Sequence, residues 1–320
     1  MDALLIMLRN VILFVALALP GFILVKAKLI TPQQSGILSK LLMYVGMPFL
    51  ILASTINNIV FDSNLITMIG VVAIIGTVYT FIMYFVSKPL TCMETKDKTR
   101  GMMQFAEVFS NNGFLGIPLA MAVFGASSKA LMVVIILNII TNICIYTLGV
   151  YLISRDKSTI SLKKAFLNPV LIAFVIGIVF NLLKVKDYVP EVSTFSTHFS
   201  NIVTPISMTI LGMKMGDVKF SSIFKTWKMY YVSALKLIVF PVVIVAVLFI
   251  LKTVLSISVL SVDVILGVFV AFAMPTAGLS SALSDRYNGD TESAVIFTLG
   301  STILSILTIP ILYFIVSLLF

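Results

Sequence analysis

The sequence has little charge: only 11% of its 320 residues are Asp, Glu, Lys or Arg, while 60% are apolar. So few polar side chains cannot cover a soluble domain of this size, which excludes a water-soluble fold. Cysteine and histidine are also scarce. Cys92 lies in a polar loop, Cys144 lies in an apolar run, and His198 is the single histidine. These residues exclude a disulfide framework and argue against a zinc centre.

Long apolar runs fill most of the chain. Crossing ~30 Å of hydrocarbon takes roughly 20 apolar residues, and the runs lack the alternation typical of barrel strands. The first run continues to Val25 and follows Asp2 rather than a basic cluster, which favours a retained span over a cleaved signal peptide. We therefore expect an all-α integral membrane protein with ten transmembrane helices, at 3–25, 36–57, 65–87, 101–124, 130–153, 168–184, 195–215, 229–251, 262–284 and 291–319.

Basic residues predict the orientation of these spans. The formal charge of +9 lies in short gaps between apolar runs, so it reports on membrane orientation rather than on a nucleic-acid partner. Most Lys and Arg residues fall on one side of the predicted membrane, among them Lys96, Lys157 and Lys219. That side is expected in the cytoplasm, with both termini outside. Ten spans divide into five plus five, and an odd number per half predicts an inverted repeat.

Two predicted spans each carry a polar face. Side chains three or four residues apart share one side of a helix. In span five these are Asn138, Thr141 and Asn142, and in span ten they are Thr298, Ser301, Thr302 and Ser305. Such residues either bond their own backbone and help helices to pack, or they line a polar path, and both interpretations stay open.

Spans four and nine contain residues that interrupt helices. Asn111, Asn112 and Gly113 form a turn sequence, and Pro118 cannot donate a backbone bond to the carbonyl of Phe114. In span nine, Pro275 begins a second interruption through Thr276, Ala277 and Gly278. Unpaired backbone groups in hydrocarbon cost several kcal/mol each, so such breaks persist where protein, water or a ligand satisfies them. A restarting helix favours an anion, while freed carbonyls favour a small cation.

These motifs resemble those of the auxin efflux carrier family, which includes plant PIN-type auxin exporters and bacterial permeases for malate or malonate and is related to the bile acid and sodium symporters. The resemblance covers essentially the whole chain. It rests on the run Asn-Asn-Gly-Phe-Leu-Gly-Ile-Pro at 111–118, on Met-Pro-Thr-Ala at 274–277 followed by Tyr287 and Asp290, and on Ser301-Thr302 and Thr308-Ile309-Pro310. The chain lacks the long central loop of many plant members, which favours a bacterial-type permease.

The resemblance implies a crossover of two broken helices and elevator-type alternating access. A transport domain at 65–153 and 229–320 would move against a scaffold domain at 1–57 and 168–228, through which a homodimer is suggested. Asn112, Pro118 and Pro275 are carried over as substrate contacts, while Thr276 stands where the first half has an asparagine.

We therefore predict a secondary transporter of the plasma membrane for a small organic anion, either a dicarboxylate such as malate or malonate or an auxin-like aromatic acid. No phosphate-binding loop is present, so a gradient or exchange would supply the energy. An anion channel or a nontransporting membrane sensor is the alternative. An intramembrane hydrolase built on Ser280 lacks a convincingly placed base, and no enzymatic activity, cofactor or nucleic-acid partner is expected. The predicted substrate-binding residues are Asn111, Asn112, Gly113, Gly116, Pro118, Asn138, Thr141, Asn142, Pro275, Thr276, Ala277, Gly278, Ser301 and Thr302.

Charged residues inside spans are expensive and call for a partner or a function. Glu107 precedes Asn111 by four residues, so we expect both on one face, with Glu107 serving either proton coupling or a structural contact. Lys236 is expected to pair with Glu107, to attract an anion, or to snorkel toward the membrane surface. Asp290, with Asp285 and Arg286, is expected to form local ion pairs. Coupling to protons, to sodium or to neither stays open.

Overall fold

A computed structural model describes residues 2–58, 63–125, 128–217, 223–254 and 259–319. Lys219, part of the orientation argument, lies outside these residues. In chain order the α-helices are α1 (Asp2–Lys26), α2 (Ser35–Leu41), α3 (Met47–Asn58), α4 (Ser63–Leu90), α5 (Asp97–Val108), α6 (Ile117–Phe124), α7 (Lys129–Cys144), α8 (Val150–Ser154), α9 (Leu162–Phe166), α10 (Pro169–Leu182), α11 (Val185–Tyr188), α12 (Glu191–Ser200), α13 (Val203–Asp217), α14 (Trp227–Ala234), α15 (Phe240–Thr253), α16 (Val262–Ala273), α17 (Ser280–Arg286) and α18 (Thr291–Leu319).

Four π-helical turns join or precede these helices, at Leu42–Gly46, Asn112–Gly116, Ile145–Gly149 and Leu235–Val239. Three of them sit between consecutive α-helices, so that α2 to α3, α7 to α8 and α14 to α15 each run on without a loop. Each π turn adds one residue to the hydrogen-bonded ring and shifts the faces of the helix that follows, and such turns are frequent at functional sites.

The helices confirm an all-α multi-pass membrane protein. Within the described ranges, the stretches long and apolar enough to cross a membrane are Pro32–Ile56, Leu65–Leu90, Lys129–Ser154, Lys157–Leu182, Trp227–Thr253 and Thr291–Leu319. Predicted spans one, four and nine correspond to shorter apolar helices at Ile12–Lys26, Asn112–Phe124 and Val262–Ala273. The count of ten spans and the inverted repeat therefore stay predictions.

The predicted interruptions are present, but the first lies before Pro118. Helix α5 ends at Val108, and the chain is extended at Phe109 before helix resumes at Asn112. Pro118 lies within the helix that resumes at Asn112, directly after the π turn, and the chain does not break there, so the prediction that Pro118 breaks the helix was wrong. In the second half, α16 ends at Ala273 and α17 begins at Ser280.

The main helix contacts are local pairs. Helix α1 lies along α13, and α3 packs against α10 and α12. Helix α7 packs against α4 and α16, and α18 packs against both α14 and α1. The α1 and α13 backbones approach closely at Gly21 and Gly212, because a Cβ atom at either position would collide with the backbone of the facing helix. Small residues allow this close approach in membrane helices.

Candidate functional site

The two interrupted segments pair with each other through their backbones. The Asn111 amide donates to the Pro275 carbonyl at 2.8 Å, and the Ala277 amide donates to the Phe109 carbonyl at 2.9 Å. These bonds make a short antiparallel bridge centred on Ser110 and Thr276. The bridge satisfies backbone groups that both breaks would otherwise leave bare, which explains how two non-helical segments persist inside the protein.

Hydrogen bonds of Thr276 with Ser301 and with the backbone of Ala106 stabilise this pairing. The Thr276 amide donates to Ser301 Oγ at 3.1 Å, and Thr276 Oγ1 donates to the Ala106 carbonyl at 3.1 Å. Both side chains are fully buried. They hold the second interruption against α5 and α18, and neither lines the cavity described next.

A small cavity, lined in part by asparagine and threonine side chains, adjoins the paired segments. Its volume is ≈ 40 Å³, room for a few water molecules but not for an organic acid. On one side it is closed by Met43, Met47 and Asn168, which belong to the stretch of α2 and α3 and to the start of α10. The predicted site residues that the structure brings together around it are Asn111, Gly113, Asn138, Thr141, Asn142, Ala277 and Gly278.

The amide groups at this cavity form an incomplete hydrogen-bond network. Asn112 Nδ2 donates to Thr141 Oγ1 at 3.0 Å, and Asn142 Nδ2 donates to Asn138 Oδ1 at 3.1 Å. Two polar atoms are left over, because Asn112 Oδ1 and Asn138 Nδ2 are buried and have no hydrogen-bond partner among the described residues. A buried polar atom without a partner costs about 1–3 kcal/mol. Of the two residues, Asn138 lines the cavity, so its unpartnered donor lies beside the space that a ligand or water would occupy.

The other predicted site residues lie away from this cavity. Asn112 does not line the cavity, but it donates a hydrogen bond to Thr141, which does. Gly116, Pro118 and Pro275 do not line it either. Thr302 faces a second cavity of ≈ 280 Å³ between α1, α13 and α18, whose walls are otherwise almost entirely apolar. The predicted polar face of span ten therefore has two different surroundings. Ser301 accepts a hydrogen bond from the backbone of Thr276, whereas Thr302 faces an apolar cavity.

Lys214 is a residue of this region that the sequence reasoning missed. Its Nζ donates to the Gly278 carbonyl at 3.0 Å, in the second interruption. The predicted span 195–215 ends one residue after Lys214; in the structure α13 continues to Asp217, and the long Lys214 side chain reaches back to the break. Lys214 also lines a third cavity, of ≈ 270 Å³, together with Gln33 and Ser281.

Glu107 and Lys236 lie beside the first interruption. Lys236 is fully buried, which excludes snorkelling, and its Nζ donates to Ser110 Oγ at 2.5 Å and to the Val108 carbonyl at 3.5 Å. Glu107 is also fully buried, and neither carboxylate oxygen accepts a hydrogen bond from a described residue. Because α5 ends at Val108, Asn111 does not follow Glu107 on one helical face, and that expectation was wrong.

Two carboxylates outside the spans tie loops to helices. Burial raises the pKa of Glu94, but the ion pair with Lys228 and the hydrogen bond from the Lys96 amide outweigh it and leave the pKa below its ordinary value. Asp290 was expected in a local ion pair; instead its carboxylate accepts hydrogen bonds from Thr99 Oγ1 at 2.6 Å and from Ser293, at the start of α18. Burial raises the Asp290 pKa, and these bonds outweigh that effect and lower it.

Asp290→Ala should destabilise the protein at neutral pH. The variant loses the helix cap and the bond to Thr99, which together contribute about 1–2 kcal/mol. Because the folded state lowers the Asp290 pKa, this contribution is present above about pH 4 and is lost as the pH falls through the folded-state value. Thermal melts in detergent should therefore separate wild type from variant at pH 7 and converge in acid. Asp285→Ala, an exposed change near the end of α17, is the control; a pH-independent difference would contradict the assignment.

The fold and the paired interruptions define a multi-pass membrane protein of the transporter class, and comparison with known proteins places it further. The membrane transport protein family matches residues 5–160 and 155–313 of the chain. An uncharacterized transporter of Methanothermobacter thermautotrophicus is 26% identical over 309 residues, covering 95% of this chain and 96% of the relative. An uncharacterized transporter of Methanocaldococcus jannaschii is 24% identical over 311 residues, covering 94% and 96%. The chain belongs to the membrane transport protein family, the auxin efflux carrier family that its motifs predicted.

Proposed function

We propose that this protein is a secondary transporter for a small organic anion, which binds where the two interrupted segments pair. The observation that carries the proposal is the unpartnered Nδ2 of Asn138, a residue that lines the small cavity beside that pair. An amide donor of this kind suits a carboxylate oxygen, because a hydrogen bond to an ionised acceptor is about twice as strong as a neutral one.

The local electrostatics favour an anion over a neutral solute. Helix resumes at Asn112, and this new N-terminus carries the positive end of a helix dipole. The Lys214 side chain adds a cationic group at Gly278, whose backbone lines the cavity. Membership of the transporter family supports transport as the purpose of the site.

The proposed movement follows from the size of the cavity and from the packing. A dicarboxylate fits only if α3 and the start of α10 separate from α7 and the paired interruptions. We propose that the scaffold domain is 1–57 with 168–228 and that the transport domain is 65–153 with 229–320; the packing of α1 on α13 and of α3 on α10 and α12 supports the first grouping. Relative motion of these domains is the elevator mechanism that we propose. Dimerisation through the scaffold stays a prediction, as does proton coupling through Glu107.

Uptake into proteoliposomes tests the function. Purified protein should accumulate one labelled class, either malate and malonate or an aromatic acid, with saturation and with competition from the unlabelled acid. Protein-free vesicles give the background. Electrical recording distinguishes the alternative, since a channel passes ions far faster than a cycle that requires domain movement. Absence of saturable uptake for every acid tested, or single-channel currents carried by anions, would overturn the proposal.

We also propose that the protein lies in the plasma membrane with both termini outside. Cys92 is a native reporter of this orientation, because it is exposed and lies in the same loop as Lys96, whereas Cys144 is buried. A membrane-impermeant thiol reagent should label the protein in inside-out vesicles and not in intact cells, and Cys92→Ser should abolish that labelling. Labelling of intact cells would reverse the orientation.

A further inference from the structure

The first interruption holds a buried lysine that the proposed binding site does not use. Lys236 lies in the π turn Leu235–Val239 and is 0% exposed. Its Nζ contacts one hydroxyl, Ser110 Oγ at 2.5 Å, and one backbone carbonyl, that of Val108 at 3.5 Å. Val108 is the last residue of α5, so its carbonyl belongs to the negatively polarised end of that helix.

These two oxygen atoms are the type of ligand that an alkali cation takes. Carbonyls freed at the C-terminal end of a half-helix hold sodium in transporters with broken helices. Here the lysine nitrogen already contacts both oxygens. A metal cation at the same place would have to displace Nζ and to approach a like charge in a site closed to water, which is strongly unfavourable.

Glu107 supplies the opposite charge. It belongs to the last turn of α5, next to Val108, whose carbonyl Lys236 Nζ contacts, so the carboxylate lies near the ammonium group without a direct ion pair. Both side chains are fully buried, and neither Glu107 oxygen accepts a hydrogen bond from a described residue. Tyr231 also faces Glu107, but its hydroxyl donates to the Leu90 carbonyl at 2.8 Å. A lone buried charge is far more costly than a compensated pair, so each of these two groups lowers the cost of burying the other.

We propose that Lys236 is the resident cation of the first interruption, balanced by Glu107, and that this protein needs no dissociable alkali cation there. The inference rests on the proposed function insofar as it concerns ion coupling, since it predicts that transport requires no sodium ion at this interruption. The contacts of Lys236 on which it depends are present in the protein without a bound solute. Melting measurements can therefore test it even if no transported acid is found.

The wild-type protein should melt at the same temperature in sodium, potassium and N-methylglucamine chloride of equal ionic strength. Lys236→Ala should melt lower by ~5 °C or more, because it leaves Glu107 buried without its partner. Methylammonium chloride, and to a smaller extent sodium chloride, should restore part of that loss by occupying the vacated space. Lys40→Ala, an exposed helical lysine, should melt like wild type and ignore methylammonium.

A double variant keeps the test decisive if Lys236→Ala fails to fold. Lys236→Met combined with Glu107→Gln removes both charges, so it should be less destabilised than the sum of the two single changes. Specific stabilisation of the wild type by sodium would overturn the inference. So would additive losses in the double variant, or a Lys236→Ala protein that neither loses stability nor responds to any cation. Failure of the uptake screen alone would count against the proposed function and leave these melting results to decide the role of Lys236.

Discussion

Asn138→Leu should reduce solute uptake about 10- to 100-fold while the protein still folds. Leucine fills nearly the same volume but removes the unpartnered Nδ2 and the acceptor that orients Asn142. A hydrogen bond to a charged group contributes about 1.5–3 kcal/mol, which sets this range. The loss should appear in the concentration dependence of uptake and, for the purified protein, in the melting shift produced by the transported acid.

Asn181→Leu is the matched control for that variant. It is the same amide-to-aliphatic change on α10, where Asn181 Nδ2 donates to the Thr55 carbonyl at 3.0 Å. This bond joins α10 to α3 and does not involve the cavity. The control should lower the melting temperature and leave the affinity for the acid unchanged. If Asn138→Leu takes up the acid with wild-type affinity, the assignment of the Asn138 amide to the binding site is wrong.

Gly212→Leu should prevent α1 and α13 from packing, and the protein should be recovered at low yield or melt well below wild type. A Cβ atom at Gly212 would overlap the carbonyl of Ala18, and one at Gly21 would lie 2.9 Å from the Met213 amide nitrogen. The neighbours that would have to yield are backbone atoms, so no change of rotamer relieves the collision. Overpacking costs typically 1–3 kcal/mol even where side chains can adjust, and the cost is expected to be higher here.

Gly70→Ala distinguishes this collision from a general effect of replacing glycine. Gly70 is also helical, but nothing lies within 4 Å of a Cβ placed there. Alanine in that position should leave stability unchanged or raise it by up to about 1 kcal/mol, through the better helix propensity of alanine. Normal expression and melting of Gly212→Leu would contradict the close packing of α1 on α13.

The sequence predicts the presence of both interruptions but not their exact limits. Asn111, Asn112 and Gly113 carry turn chemistry in any context, and Pro275 cannot continue a helix, so the breaks are local properties. The limits of the breaks depend on the hydrogen bond between Asn111 and Pro275. These two residues are far apart in sequence, so a local pattern does not reveal their contact. For the same reason the proline signal was misplaced in the first half, where Pro118 lies inside the helix that starts at Asn112.

The candidate site was predictable where one helical face carries it. Asn138, Thr141 and Asn142 follow the helical repeat, and all three line the cavity. Span ten obeys the same repeat, yet Ser301 supports the backbone of Thr276, and Thr302 faces apolar side chains. Periodicity gives the side of a helix, but it does not say what the neighbouring helix presents to that side.

Two lysines show a different limit of the sequence. Lys214 and Lys236 both reach backbone oxygens at an interruption, and their flexible stems allow this from other helices. When an apolar run ends near a lysine, the sequence alone predicts that the lysine side chain is in solvent. The π turn that contains Lys236 is likewise invisible to a search for the ordinary 3.6-residue repeat, although it shifts the face on which the lysine lies.

The central claim is that the paired interruptions form the binding site for the transported acid. An experimental structure of the protein saturated with the acid found in the uptake screen tests it most directly. The account predicts density for a carboxylate within hydrogen-bond distance of Asn138 Nδ2, beside Asn111 and Gly278, with α3 and the start of α10 displaced from their present contact. Density for the acid in the apolar cavity between α1, α13 and α18, with Asn138 still unpartnered, would contradict it.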